Sequence, residues 1–120
     1  MTARQRGVII ISTFSDEKSA ARLADSVVRS KLCACVNITR VRSIYAWHGR
    51  LEDQAEWIAL FKTTAKSARK LKDEIARIHP YEVPEIVEVE MNDVSKSYLS
   101  WLAAGSSPDG VPKKSHNSAK

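Results

Sequence analysis

Ala34-Cys35-Val36-Asn37-Ile38-Thr39-Arg40-Val41-Arg42-Ser43-Ile44-Tyr45-Ala46-Trp47, then His48-Gly49-Arg50, then Leu51-Glu52-Asp53-Gln54-Ala55-Glu56-Trp57-Ile58-Ala59-Leu60-Phe61-Lys62-Thr63-Thr64 is the stretch on which the architecture turns. Val36, Ile38, Val41, Ile44 and Tyr45 favour strand, and Trp57 to Phe61 centre a second strand that ends at Thr64. Between them, Trp47-His48-Gly49-Arg50 reads as a hairpin turn, with Gly49 supplying the positive φ such turns need. The alternation slips where Thr39-Arg40 separates Ile38 from Val41, which predicts a bulge or bend there. Each strand is about twice the usual 5–6 residues. A hairpin of that length should project beyond a small sheet and leave edges that want a partner.

Working outward, Gly7 to Thr13 is β-branched and apolar on both faces, as in a central strand. Ser15 and Asp16 offer a helix cap. Ala20, Leu23, Ala24, Val27, Val28 and Leu32 then recur at helical spacing over about 16–31. Ala68, Leu71, Ile75 and Ile78 give a second helix over about 66–78, and Pro80 stops it. His79-Pro80-Tyr81-Glu82-Val83-Pro84 reads as a stiff connector. Glu85 to Met91 alternates as an edge strand, and Tyr98, Leu99, Trp101 and Leu102 mark a short terminal helix. The order βαββαβ plus a final helix predicts an α+β ferredoxin-like sandwich, both main helices on one face of a four-stranded sheet. The domain should span 1–104, with 105–120 a disordered tail of Ser, Pro, Gly, Lys and Asn.

Size and composition agree with one soluble domain. The chain has 120 residues, 43% hydrophobic and 28% charged, enough to bury a core without disulfides. The longest apolar run, Val8 to Ile11, is far short of a membrane span, and the residues before it do not resemble a secretory signal. Of the net charge of +5, the excess of Lys113, Lys114 and Lys120 over Asp109 lies in the tail, so the body is only mildly basic. Cys33 and Cys35 are two residues apart. On one strand they would stand about 6.6 Å from each other, too far to bond, and two free thiols suit a reducing compartment. The cytoplasm is the expected location.

Fold alone assigns no function. The third strand, Glu56 to Thr63, lacks the glycine-aromatic pattern of an RNA-recognition strand, and the loop Thr13-Phe14-Ser15-Asp16 lacks the C-x-x-C of a metal-transfer domain. Neither nucleic acid nor membrane is an expected partner. No nucleophile-and-base constellation is apparent, and the expectation is a protein that is not an enzyme.

Five ordered blocks carry a resemblance: Ala34-Cys35-Val36-Asn37-Ile38, Ser43-Ile44-Tyr45-Ala46-Trp47-His48-Gly49, Phe61-Lys62-Thr63, His79-Pro80-Tyr81-Glu82-Val83-Pro84-Glu85-Ile86 and Tyr98-Leu99-Ser100-Trp101-Leu102. From Val8 to Leu102 the chain resembles the CutA divalent-cation tolerance proteins. The resemblance implies a cytoplasmic homotrimer of ferredoxin-like protomers, PII-like in assembly, associated with metal tolerance and copper binding and with no agreed catalysis. Two departures stand out: Thr39-Arg40-Val41-Arg42 replaces a Pro-containing segment one residue longer, and His48 occupies a position commonly acidic in relatives.

Cys35 falls on the family's characteristic cysteine, and copper or another divalent metal is the expected cofactor, with no organic one. A thiolate there would be a soft ligand for Cu(I) or Zn, unless the residue is simply a small buried hydrophobe. His79 follows as a second ligand, or else as a cap on a helix end. Cys33 and Glu82 join as further candidates, and Glu85 could add an oxygen or merely solvate the loop. Tyr45, Trp47, Trp57 and Trp101 are assigned to a subunit interface, which favours aromatics at its centre. The alternative is a PII-like signalling or scaffold trimer, binding a small anion or a partner protein in clefts between subunits. That reading expects a ligand where the hairpin meets the His79–Glu85 loop. Lys62, after the apolar run of the third strand, could contact an anion near a subunit cleft or form an ordinary inter-strand ion pair.

Overall fold

The computed structural model describes residues 5–108. Along the chain run β1 (Gly7–Phe14), α1 (Glu17–Arg29), β2 (Cys35–Trp47), β3 (Arg50–Thr64), α2 (Ala65–Ile78), β4 (Val87–Glu90) and α3 (Lys96–Gly105). The four strands form one sheet in the order β2-β3-β1-β4, antiparallel at every pair. This is an α+β fold with the expected element order.

Register divides the sheet into two unlike faces. Val8, Ile10, Ser12 and Phe14 of β1 lie opposite Thr63, Phe61, Ala59 and Trp57 of β3, and Val36 and Ile38 of β2 continue the same face. The core forms there, closed by Ala20, Leu23 and Val27 of α1 and Ala68, Leu71 and Ile75 of α2. The opposite face carries Ile9, Ile11, Ile58 and Leu60, all half-buried, with Val87 and Val89 more than two-fifths exposed. Among the described helices, α3 (Lys96–Gly105) meets this face at the Gly7 end, through Leu102.

Asp16 caps α1, its side chain accepting from the Ser19 N–H at 2.7 Å. The helix ends two residues before the pattern predicts, at a Schellman turn: Leu32 N–H donates to the Val27 carbonyl and Lys31 N–H to that of Val28. Lys31 sits at φ 60°, the left-handed conformation that glycine usually supplies there.

The expected bulge is absent. β2 and β3 pair residue for residue from Cys35↔Lys62 to Trp47↔Arg50. The alternation slips because the apolar side changes: Val36 and Ile38 face the helices, whereas Val41, three residues on, belongs to the open face. The loop is His48-Gly49 alone, at φ 52° and 75°, the two positive values of a primed hairpin turn.

β1 ends at Phe14, opposite Trp57, so Val41–Trp47 and Arg50–Glu56 continue as a two-stranded ribbon. Seven residues at the usual rise reach about 23 Å beyond β1. The bidentate pair Arg42–Asp53 braces it, at 2.6 and 2.8 Å.

The far end of the domain differs from expectation. β4 has four residues rather than seven, although the Met91 N–H still donates to the Gly7 carbonyl. α3 is longer than predicted and starts at a Ser95 cap. Leu102 is fully buried beside Gly7, where a Cβ would come within 3.1 Å of Leu102 and 2.6 Å of the Met91 sulfur. The domain also reaches past residue 104. Ser106 is buried, and its carbonyl accepts from the Ser67 hydroxyl at 2.6 Å. Residues 109–120 of the expected tail, with its three lysines, lie outside the described residues.

Candidate functional site

The proposed metal ligands do not meet within the chain. Cys33 is sealed in the core, where burial pushes its thiol up to about 12. It sits two residues before β2, among the core side chains. Cys35 lies on the open face, half-buried opposite Lys62, with its Sγ 4.0 Å from the Asn37 Oδ1. Both thiols are free.

His79 holds the loop rather than facing an opening. Its Nε2–H donates to the Thr13 carbonyl at 2.8 Å and its Nδ1 accepts from the Tyr81 N–H at 3.1 Å. The ring stacks on Phe14, with centroids 4.5 Å apart, and tilts against Tyr81. Burial holds it below the usual imidazole range, which favours the neutral form that these bonds require. A metal would have to displace one of them. Cys35 pairs at the Ile9 level of the sheet and His79 at the Thr13 level, about 13 Å away along a strand. Glu82 is exposed on the loop. Among the described residues, no three His, Cys, Asp or Glu side chains converge to hold a metal.

A cleft does open where the ribbon meets the loop. It encloses about 590 Å³, between Ser43, Ile44, Tyr45 and Trp47 on one side and Tyr81, Glu82, Val83 and Glu85 on the other, over Thr13 and Glu56. Ser43, Tyr45 and Glu56 reach it because they share the open face of the ribbon. Tyr81 donates its phenol hydrogen to Glu56 Oε2 at 2.5 Å, and burial together with that bond raises the phenol above its ordinary range. His79 thus places Tyr81, and Tyr81 places Glu56.

Glu56 is the residue sequence reasoning missed. It is only 7% exposed, yet it stands two positions before Ile58 on an otherwise apolar face. An acid in phase with that face was the available signal. Of the four aromatic residues assigned to an interface, Tyr45 and Trp47 line the cleft and are 40% exposed, and Trp101 is exposed on α3. Trp57 packs against the chain's own core, with the Arg40 guanidinium 5.9 Å above its ring.

The sequence profile of the family described as CutA1 divalent ion tolerance protein matches residues 8–105. The divalent-cation tolerance protein CutA of Pyrococcus horikoshii is 36% identical over 95 residues, which cover 79% of this chain and 93% of that one. Among solved structures, the periplasmic divalent cation tolerance protein CutA of Archaeoglobus fulgidus superposes with a TM-score of 0.81 at 28% identity, covering 84% of this chain and 99% of that one. A PII-like protein CutA from Nostoc sp. PCC 7120, in apo form, gives 0.79 at 28% identity, with 83% and 97% covered. Matched across its described core, from the strand that begins at Gly7 to the helix that ends at Gly105, the chain belongs to the CutA1 divalent ion tolerance family.

Proposed function

We propose that this chain acts in divalent-cation tolerance as a cytoplasmic homotrimer of ferredoxin-like protomers, PII-like in assembly. It binds copper or another divalent metal without catalysing a reaction. The observation that supports the reading most directly is the open face: an apolar band of Ile9, Ile11, Ile58, Leu60, Val87 and Val89 with the half-buried Cys35 thiol on the same side. A partly exposed band of this kind marks an interaction surface. A soft thiolate suits Cu(I), and the described residues of one chain bring no such ligand cluster together, so in this reading a metal held there takes ligands from more than one copy.

Two measurements on the full chain test this. Light scattering should give three protomer masses at micromolar concentration, and elemental analysis after copper loading should give stoichiometric metal that Cys35→Ser loses. A single protomer mass, or copper retained in full by the variant, would overturn the reading. His79→Ala should lower stability more than copper content, because both ring nitrogens are engaged inside the fold.

The signalling alternative gains a cleft at the junction where it expects one. Its small anion gains nothing there: the charged side chains of the lining are Glu56, Glu82 and Glu85.

A further inference from the structure

We propose that the cleft between the ribbon and the Tyr81–Glu85 loop binds a small organic cation, an ammonium or guanidinium compound. Its charged head would sit on Glu56, with its carbon body against Tyr45, Trp47 and Tyr81. The inference stands apart from the metal reading, because it uses neither Cys35 nor the open apolar band.

Three features carry it. First, size: about 590 Å³ falls within the range of pockets that hold organic ligands and is far more than one ion needs. Second, charge: the lining carries three carboxyl side chains, Glu56, Glu82 and Glu85, and no basic one, and Glu56 is only 7% exposed. It meets one hydrogen-bond donor, the Tyr81 phenol, and no ion-pair partner among the described residues. A buried carboxylate is costly without an opposite charge, so an entering cation gains the attraction that the protein leaves unused. Third, the walls are aromatic. Tyr and Trp ring faces attract ammonium and guanidinium groups, whereas a hard divalent ion asks for several oxygens that converge, which these acids do not provide.

A lysine or arginine side chain carries the same chemistry as a free amine, so the test separates them. Full-length protein would be titrated with tetramethylammonium, agmatine and spermidine by calorimetry and tryptophan fluorescence. A short Lys/Arg peptide, citrate and Cu(II) would be titrated in parallel. At least one small organic cation should saturate at or below about 1 mM. Glu56→Gln, which still accepts from Tyr81, should weaken it about tenfold or more. Trp47→Leu, on the exposed rim, should weaken it about threefold and guards against a folding defect in the first variant. Cys35→Ser should leave it unchanged, even if that variant loses copper. The proposal is overturned if none of the three cations saturates by about 10 mM. Binding that ignores both cleft substitutions, or saturation by the peptide, citrate or copper alone, would overturn it equally.

Discussion

The inner and outer halves of the hairpin share a register and a pairing pattern but live in different surroundings. In the inner half, Phe61 and Ala59 are fully buried beneath the helices. In the outer half, Ile44 is 59% and Leu51 77% exposed, and beyond their pairing with each other the strands meet the domain through Glu56 and Tyr81. Hydrogen bonding is therefore not what distinguishes them, since the ladder is continuous. Burial is. The inner half takes its stability from apolar area removed from water, and the outer half keeps a regular shape with little such gain.

The largest expected effect sharpens that contrast. Phe61→Ala should lower unfolding stability by about 3–5 kcal/mol in denaturant melts, and Leu51→Ala by no more than about 0.5 kcal/mol. A comparable loss at Leu51 that grows as protein is diluted would break the contrast by placing the outer half under a second copy. Next comes the boundary between the halves, where His79 ties the loop to Thr13. His79→Ala should cost about 1–3 kcal/mol, because it strands the Thr13 carbonyl and the Tyr81 N–H.

The same ring gives a pH dependence. Its folded pKa is depressed, so the unfolded chain takes up the proton first as pH falls. Stability from this group is complete above about 6.5 and declines as pH drops from there through the lower folded value. Thermal melts between pH 7.5 and 5 should show that decline in the wild type and a smaller one in His79→Gln. A smaller gain is expected at the turn that ends α1. Lys31→Gly removes the left-handed strain and should stabilise by about 0.5–1 kcal/mol, read as a higher melting temperature. Least of all, Asp53→Asn should leave the melting temperature where it was, since the pair with Arg42 is solvent-exposed.

Much of the fold was legible because the burial signal is periodic. Ala20, Leu23 and Val27, and Ala68, Leu71 and Ile75, announced their helices, and Gly49 announced the turn. What the sequence hid has physical causes. The slip around Thr39 looked like an inserted residue because two apolar faces abut there. Lys31 gave no sign of a left-handed cap, since lysine is not the residue that conformation prefers. His79 was recognised as notable, but a list of residue types does not reveal that a backbone carbonyl and a backbone N–H already occupy its nitrogens. The cleft required three segments distant in sequence, and only folding brings Glu56 beneath Tyr45 and Tyr81.

The uninterrupted pairing from Cys35 to Trp47 makes the ribbon a structure that can be lengthened or trimmed only in matched steps, one residue from each strand. Deleting a single residue between Thr39 and Arg42 would turn Ser43, Tyr45 and Trp47 to the reverse side of the ribbon and bring Ile44 and Ala46 round in their place. Length variation among homologues in this segment therefore carries a hidden parity. An odd change requires a compensating kink, and an even one preserves which side chains look into the cleft.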